Sequence, residues 1–173
     1  MKALSFVLVL FLTTTSLKAQ SFKKYTIGNS GSAVYMFCNP GEFEMTYSED
    51  SAAVYTGECK PDSISYGLIC VKLKETVAAG NIAEDLLISY LDYLKTAFKI
   101  KSTAGYGKGH TMEKKPEVRG VIDYWTDESG DEWKVKAWTD GKFIAVLYVY
   151  ATGKLNYEQK HNVYLNSFRF PGM

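Results

Sequence analysis

The chain has 173 residues, with 20 basic and 19 acidic side chains and a formal net charge of +1 at pH 7. That length suits one ordinary domain able to bury a core without staples. The near-zero charge supplies no global field for nucleic acid or an anionic membrane, so neither is an expected partner.

Residues 1–19 have the order of a secretory signal peptide. Lys2 brings the positive charge, Ala3 to Leu12 an apolar core, Thr13 to Ser16 a polar exit and Ala19 a small residue before Gln20. The apolar part is shorter than the ~20 residues that span a bilayer. Residues 20–173 are then expected as a single domain, periplasmic or secreted, without stable membrane insertion. Removing Lys2 and Lys18 takes the basic count from 20 to 18 against 19 acids. An exported chain permits disulfides. Of Cys38, Cys59 and Cys70, the first two lie beside turns (Asn39-Pro40-Gly41 and Lys60-Pro61-Asp62) and are the expected pair. Cys70, inside Gly67-Leu68-Ile69-Cys70-Val71, reads as a buried free thiol.

In chain order, Gln20 to Ser32 is polar and reads as a loose lead-in. Ala33 to Phe37 is a short apolar strand candidate. Phe43, Met45 and Tyr47 alternate with polar residues, the period of a half-buried strand. Ala53 to Cys59 returns as its partner, and Ile64 to Leu73 reads as a buried strand. Successive hairpins imply an antiparallel sheet. Asn81 then opens a helix as N-cap, with Glu84 at capping-box spacing. Leu87, Tyr90, Leu91, Leu94 and Phe98 form its apolar stripe.

Lys101 to Arg119, basic and glycine-rich, reads as a twisted edge strand and loop. Val118 to Ala151 holds all three tryptophans and is divided by Asp127-Glu128-Ser129-Gly130-Asp131 and by Asp140-Gly141. Those turn signals predict a three-stranded meander, with Phe143 to Tyr150 as the central strand of the sheet. A second helix is expected from Asn156 to Ser167, with Asn156 and Gln159 as a possible cap pair. Phe168-Arg169-Phe170 follows as a last strand or anchoring clamp. The fold class is α+β: an antiparallel sheet of about six strands flanked by helices.

Strand alternation sharpens the meander. On its middle strand Trp133, Val135 and Ala137 share one face, and Lys134, Lys136 and Trp138 the other. Tryptophans on opposite faces imply a sheet covered on both sides. A recognition surface, if present, is expected at the Asp127–Asp131 turn with Trp125, Trp133, Lys136 and Trp138 as its binding residues.

Other chemistry finds little support. His110 and His161 are far apart and no C-x-x-C occurs, so no metal is expected. There is no nucleophile elbow and no phosphate-loop order, and no cofactor or catalytic residue is assigned. Asp123, Asp127, Glu128, Asp131 and Glu132 crowd one hairpin beside Trp125 and Trp133, a set that a glycan-acting enzyme uses. Asp50-Ser51-Ala52 and Asp62-Ser63-Ile64 resemble a short O-glycosylation acceptor pattern of exported bacterial proteins.

The order of pieces resembles the PsbP-like family, whose fold is shared with the Ran-binding Mog-type proteins. The matching residues are Phe37-Cys38-Asn39-Pro40-Gly41, Val54-Tyr55-Thr56-Gly57-Glu58, Tyr66-Gly67-Leu68-Ile69, the Asn81–Phe98 helix, the Asp123-Tyr124 meander and Asn166-Ser167-Phe168-Arg169-Phe170. The resemblance implies an antiparallel sheet flanked by helices, in proteins that mostly bind or help assemble other proteins, and it carries over no catalytic residues. The expected function is an exported non-enzymatic binding or assembly module with a protein partner in the cell envelope. The alternatives are a glycan-acting enzyme using the Asp123–Glu132 hairpin and a carrier of a small apolar ligand between helix and sheet.

Overall fold

A computed structural model of the chain describes residues 21–78, 81–156 and 158–173, with the backbone alone for Asn81. The signal peptide expected over residues 1–19 and the side-chain cap expected of Asn81 lie outside the described residues.

The elements are β1 (Lys23–Thr26), β2 (Ala33–Met36), β3 (Glu44–Tyr47), β4 (Ala53–Cys59), β5 (Ile64–Lys72), α1 (Asn81–Ala97), β6 (Ile100–Thr103), β7 (Gly107–Met112), β8 (Lys115–Asp127), β9 (Glu132–Thr139), β10 (Phe143–Ala151) and α2 (Gln159–Leu165). Strands β3 to β10 form an eight-stranded antiparallel sheet in the order β3-β4-β5-β10-β9-β8-β6, with β7 paired to β8. The α+β class and the meander β8-β9-β10 stand, and β10 is the central strand, paired with β5 on one side and β9 on the other.

The expected six strands are too few. The lead-in folds as β1, paired with β2 from Lys23↔Met36 to Thr26↔Ala33, and Ile27 beside it is fully buried. Pairing on β2 supplies the ladder that its polar sequence does not advertise. The glycine-rich stretch supplies two strands, β6 and β7, with register shifts against β8. Such irregular strands carry no clean period of two. Strand β3 is exposed throughout, Met45 at 44% and Tyr47 at 68%, where half burial was expected. It is an edge strand, paired with β4 alone.

The sheet has a core on each face. Leu87, Leu91 and Leu94 of α1 pack with Val121, Trp125, Trp133, Val135, Ile144 and Val146. On the other face Tyr164 and Leu165 of α2 pack with Leu68, Cys70, Trp138, Leu147, Phe168 and Phe170. Helix α2 is shorter than expected. It begins at Gln159 after Glu158, whose extended backbone holds the N-cap position with no side-chain cap. The tail is a clamp rather than a strand: Ala33 and Arg169 exchange both backbone hydrogen bonds, at 3.0 and 2.7 Å. Phe168 and Phe170 drive it down, both buried.

Cys38 and Cys59 form a disulfide, tying the end of β2 to the end of β4. Cys70 is the buried free thiol, its pKa pushed up to about 12 by desolvation. Among the described residues no helix is long and apolar enough to cross a membrane. The disulfide is compatible with an extracellular or periplasmic location.

Candidate functional site

Four of the five acids of the β8–β9 hairpin are engaged within the fold, and the fifth, Glu128, is exposed in the turn. Asp123 is fully buried on the α1 face, where it accepts hydrogen bonds from the Trp125 indole at 2.7 Å and the Tyr124 backbone at 2.8 Å. Lys95 of α1 completes its shell, with Nζ 3.1 Å from Oδ2. Lys95 also donates to the Tyr106 hydroxyl at 2.7 Å, and that hydroxyl donates to Asp92 at 2.5 Å. Asp127 organises the turn. Its Oδ1 accepts from the backbones of Ser129 and Asp131, and its Oδ2 from the Trp133 indole at 3.0 Å. Desolvation opposes ionisation of Asp127, but these donors outweigh it and lower its pKa. Asp131 accepts from the Gly153 backbone and Glu132 from that of Leu155.

All three tryptophans are interior: Trp125 and Trp138 are each 2% exposed and Trp133 is 9%. Trp133 stacks on Tyr150 at 4.1 Å between centroids and on Phe98 at 5.2 Å. The Trp138 indole donates to the Leu165 carbonyl at 2.9 Å, fastening α2 to β9. No tryptophan stands exposed beside Lys136, because α1 and α2 each cover the face on which an indole lies.

Polar side chains of β9 turn toward α2. Lys134 and Lys136 are buried side chains on the α2 face, at 2% and 7% exposure. Their stems lie along the sheet and their ammonium groups turn to α2. Lys134 Nζ meets Asn162 Oδ1 at 2.6 Å, and Lys136 Nζ meets Asn166 Oδ1 at 2.8 Å. Helix α2 presents those two amides because its His161, Tyr164 and Leu165 face the core. Lys136 also lies 4.3 Å from the Trp138 ring centroid, and Lys134 5.4 Å from that of Tyr124.

Two surface cavities flank this row. One, of about 370 Å³, is lined by Ser102, Tyr124, Trp125, Trp133, Lys134 and His161, among others. The second, of about 340 Å³, is lined by Lys114, Trp138, Asn166, Arg169 and Met173, among others. The four expected binding residues are thus divided. Trp125 and Trp133 border the first cavity, Trp138 borders the second, and Lys136 is held at Asn166 beside it. His161 is 1% exposed and its Nε2 has no hydrogen-bond partner among the described residues. Desolvation lowers its pKa against the opposing charge of Glu158.

The sequence assigns no binding role to Asn162, Asn166 or Lys134, although alternation places Lys134 on the face of Lys136. The available signal was i, i+4 spacing of two asparagines opposite i, i+2 spacing of two lysines. Ser51 and Ser63, of the acceptor-like patterns, are exposed in the turns on either side of β4. No family model matches the chain, and no curated protein or solved structure matches it.

Proposed function

We propose that this chain is an exported, non-enzymatic binding or assembly module with a PsbP-like fold, and that it meets a protein partner of the cell envelope on the α2 side of its sheet. One observation carries the reading. Helix α2 sets Val163 outward between two cavities, with Asn162 half-buried beside it and Asn166 exposed at its C-cap, and Tyr124 stands exposed on β8. Val163 is 45% exposed and Tyr124 42%, so an apolar contact area sits beside fixed polar groups, the composition of a protein interface. Lys136, with Trp138 beneath it, supplies the cation of that surface, and Trp125 and Trp133 support the wall of the first cavity.

The disulfide suits an exported protein. Asp123, Asp127, Asp131 and Glu132 serve backbone amides, indoles and Lys95, which weighs against glycan chemistry there. The α1 stripe lies directly on the sheet with Leu87 and Leu91 fully buried, where an apolar-ligand carrier needs a gap.

The test is capture from envelope extract by immobilised chain, comparing the native surface with Val163→Glu and Tyr124→Ala. A band retained by the native chain and lost in both folded variants supports the reading. A band that persists in both removes the α2 side as the contact.

A further inference from the structure

The fold buries beside α2 a cation that it does not neutralise. Lys136 makes no ion pair within 4.0 Å among the described residues; its ammonium has the neutral Asn166 amide and the Trp138 ring. Burying a charge is costly unless an opposite charge or several hydrogen bonds compensate it. The neighbours raise that cost. Lys134 lies two residues earlier on the same strand and the same face. His110 of β7 also faces this region, edge-on to Trp138 at 6.4 Å, and Arg169 and Lys114 line the adjoining cavity. The one acid lining that cavity is Glu113, which is exposed.

We propose that Lys136 is the centre of an oxyanion-binding site, and that the group it takes is a carboxylate of the protein partner inserted between α2 and the β7–β8 hairpin. This rests on the binding-module reading and adds the chemistry of what is bound. The Asn166 side-chain oxygen orients the ammonium, and one ammonium hydrogen bond already spent on Asn166 leaves others for an incoming oxygen. Trp138 beneath holds the lysine stem in place, so little order is lost on binding. Two cations side by side on β9, which is paired on both edges, suit a carboxylate better than a neutral amide or an alcohol.

A consequence is visible in the free chain. Desolvation, and next the charge of Lys134, hold the pKa of the Lys136 ammonium down at about 8, a shift that an arriving anion opposes.

The experiment follows the Lys136 side-chain resonance by NMR through a pH titration, with and without acetate, and repeats it with inorganic phosphate. Acetate is expected to raise the Lys136 midpoint by about one unit, as an opposite charge at contact does. The exposed Lys23 serves as control and is expected to stay put. Phosphate producing the shift as well supports the shared oxyanion chemistry. A midpoint unmoved by either anion, or moved no more than that of Lys23, overturns the site. The partner arm uses the same extract capture with Lys136→Gln, whose fold is checked by circular dichroism. Capture lost in Lys136→Gln, or competed away by acetate from the native chain, supports a partner carboxylate. Capture undiminished in Lys136→Gln overturns it while leaving the binding-module reading intact, whereas no capture that depends on Val163 and Tyr124 removes that reading itself.

Discussion

Lys95 and Asp123 pair across the helix–sheet boundary, Nζ to Oδ2 at 3.1 Å, with the carboxylate fully buried and the lysine side chain 16% exposed. The pair joins α1 to β8 at the level of Trp125, whose indole donates to the same carboxylate oxygen. Asp123→Asn keeps the shape but removes the charge that Lys95 faces. Losing one partner of a buried pair costs about 3–5 kcal/mol, and the remaining contacts of Lys95 with Tyr106 and Asp92 point to the lower end. Urea denaturation of the variant measures this. A loss below 1 kcal/mol would show that the pair is dispensable to the α1 interface.

Lys136 has the opposite balance, and pH reveals it. Burial first, then Lys134, lowers its pKa from 10.5 to about 8 in the folded chain. Below pH 8 folded and unfolded chains both hold the proton, and the fold bears the whole cost of the charge. Between about 8 and 10.5 the unfolded chain binds the proton and the folded chain does not, so this group makes stability rise with pH. The full span is on the order of 3 kcal/mol. Lys136→Met is therefore expected to be more stable than the native chain at pH 7, with the gap shrinking toward pH 10.5. Urea midpoints of both chains at the two pH values decide it, and a constant gap refutes it.

The Cys38–Cys59 bridge closes a loop of sequence separation 21 around β3 and β4. Loop closure of that length is worth about 3 kcal/mol in the unfolded chain. Dithiothreitol, or the double Cys38→Ser, Cys59→Ser variant, should lower stability by that order. Iodoacetamide should label no thiol in the native chain and one, Cys70, after unfolding without reductant. Three labels would mean that the bridge had not formed.

Gly67 allows Tyr148 to lie flat across β5. A Cβ there would come within 2.0 Å of the Tyr148 ring, and that ring carries a hydroxyl bonded to Glu58 at 3.0 Å. Gly67 is also tied from the other face, where Tyr164 donates to its carbonyl at 2.7 Å. Gly67→Ala should displace the ring and cost about 1–3 kcal/mol. Thermal unfolding reads the loss, and an unchanged midpoint would mean that Tyr148 repacks freely.

The sequence by itself determined the parts whose signals are local. The bounds of β4, the α1 stripe of Leu87, Leu91 and Leu94, the meander cut at Asp127–Asp131 and Asp140-Gly141, and the opposite faces of Trp133 and Trp138 all follow from periodicity and turn chemistry. Adjacent turns also made Cys38 and Cys59 the expected pair. Only the tertiary structure decided what covers each face. Alternation places Lys134, Lys136 and Trp138 together, but it takes α2 packed above them to bury two lysines and meet them with Asn162 and Asn166. The same limit applies to Asp123, which reads as one more solvating acid until Lys95 arrives from a helix 28 positions earlier in the chain. It applies also to β1 and β7, whose residues become strands because β2 and β8 offer free edges. Period and propensity are properties of neighbours in the chain, whereas burial and ionic pairing depend on which distant segments pack together.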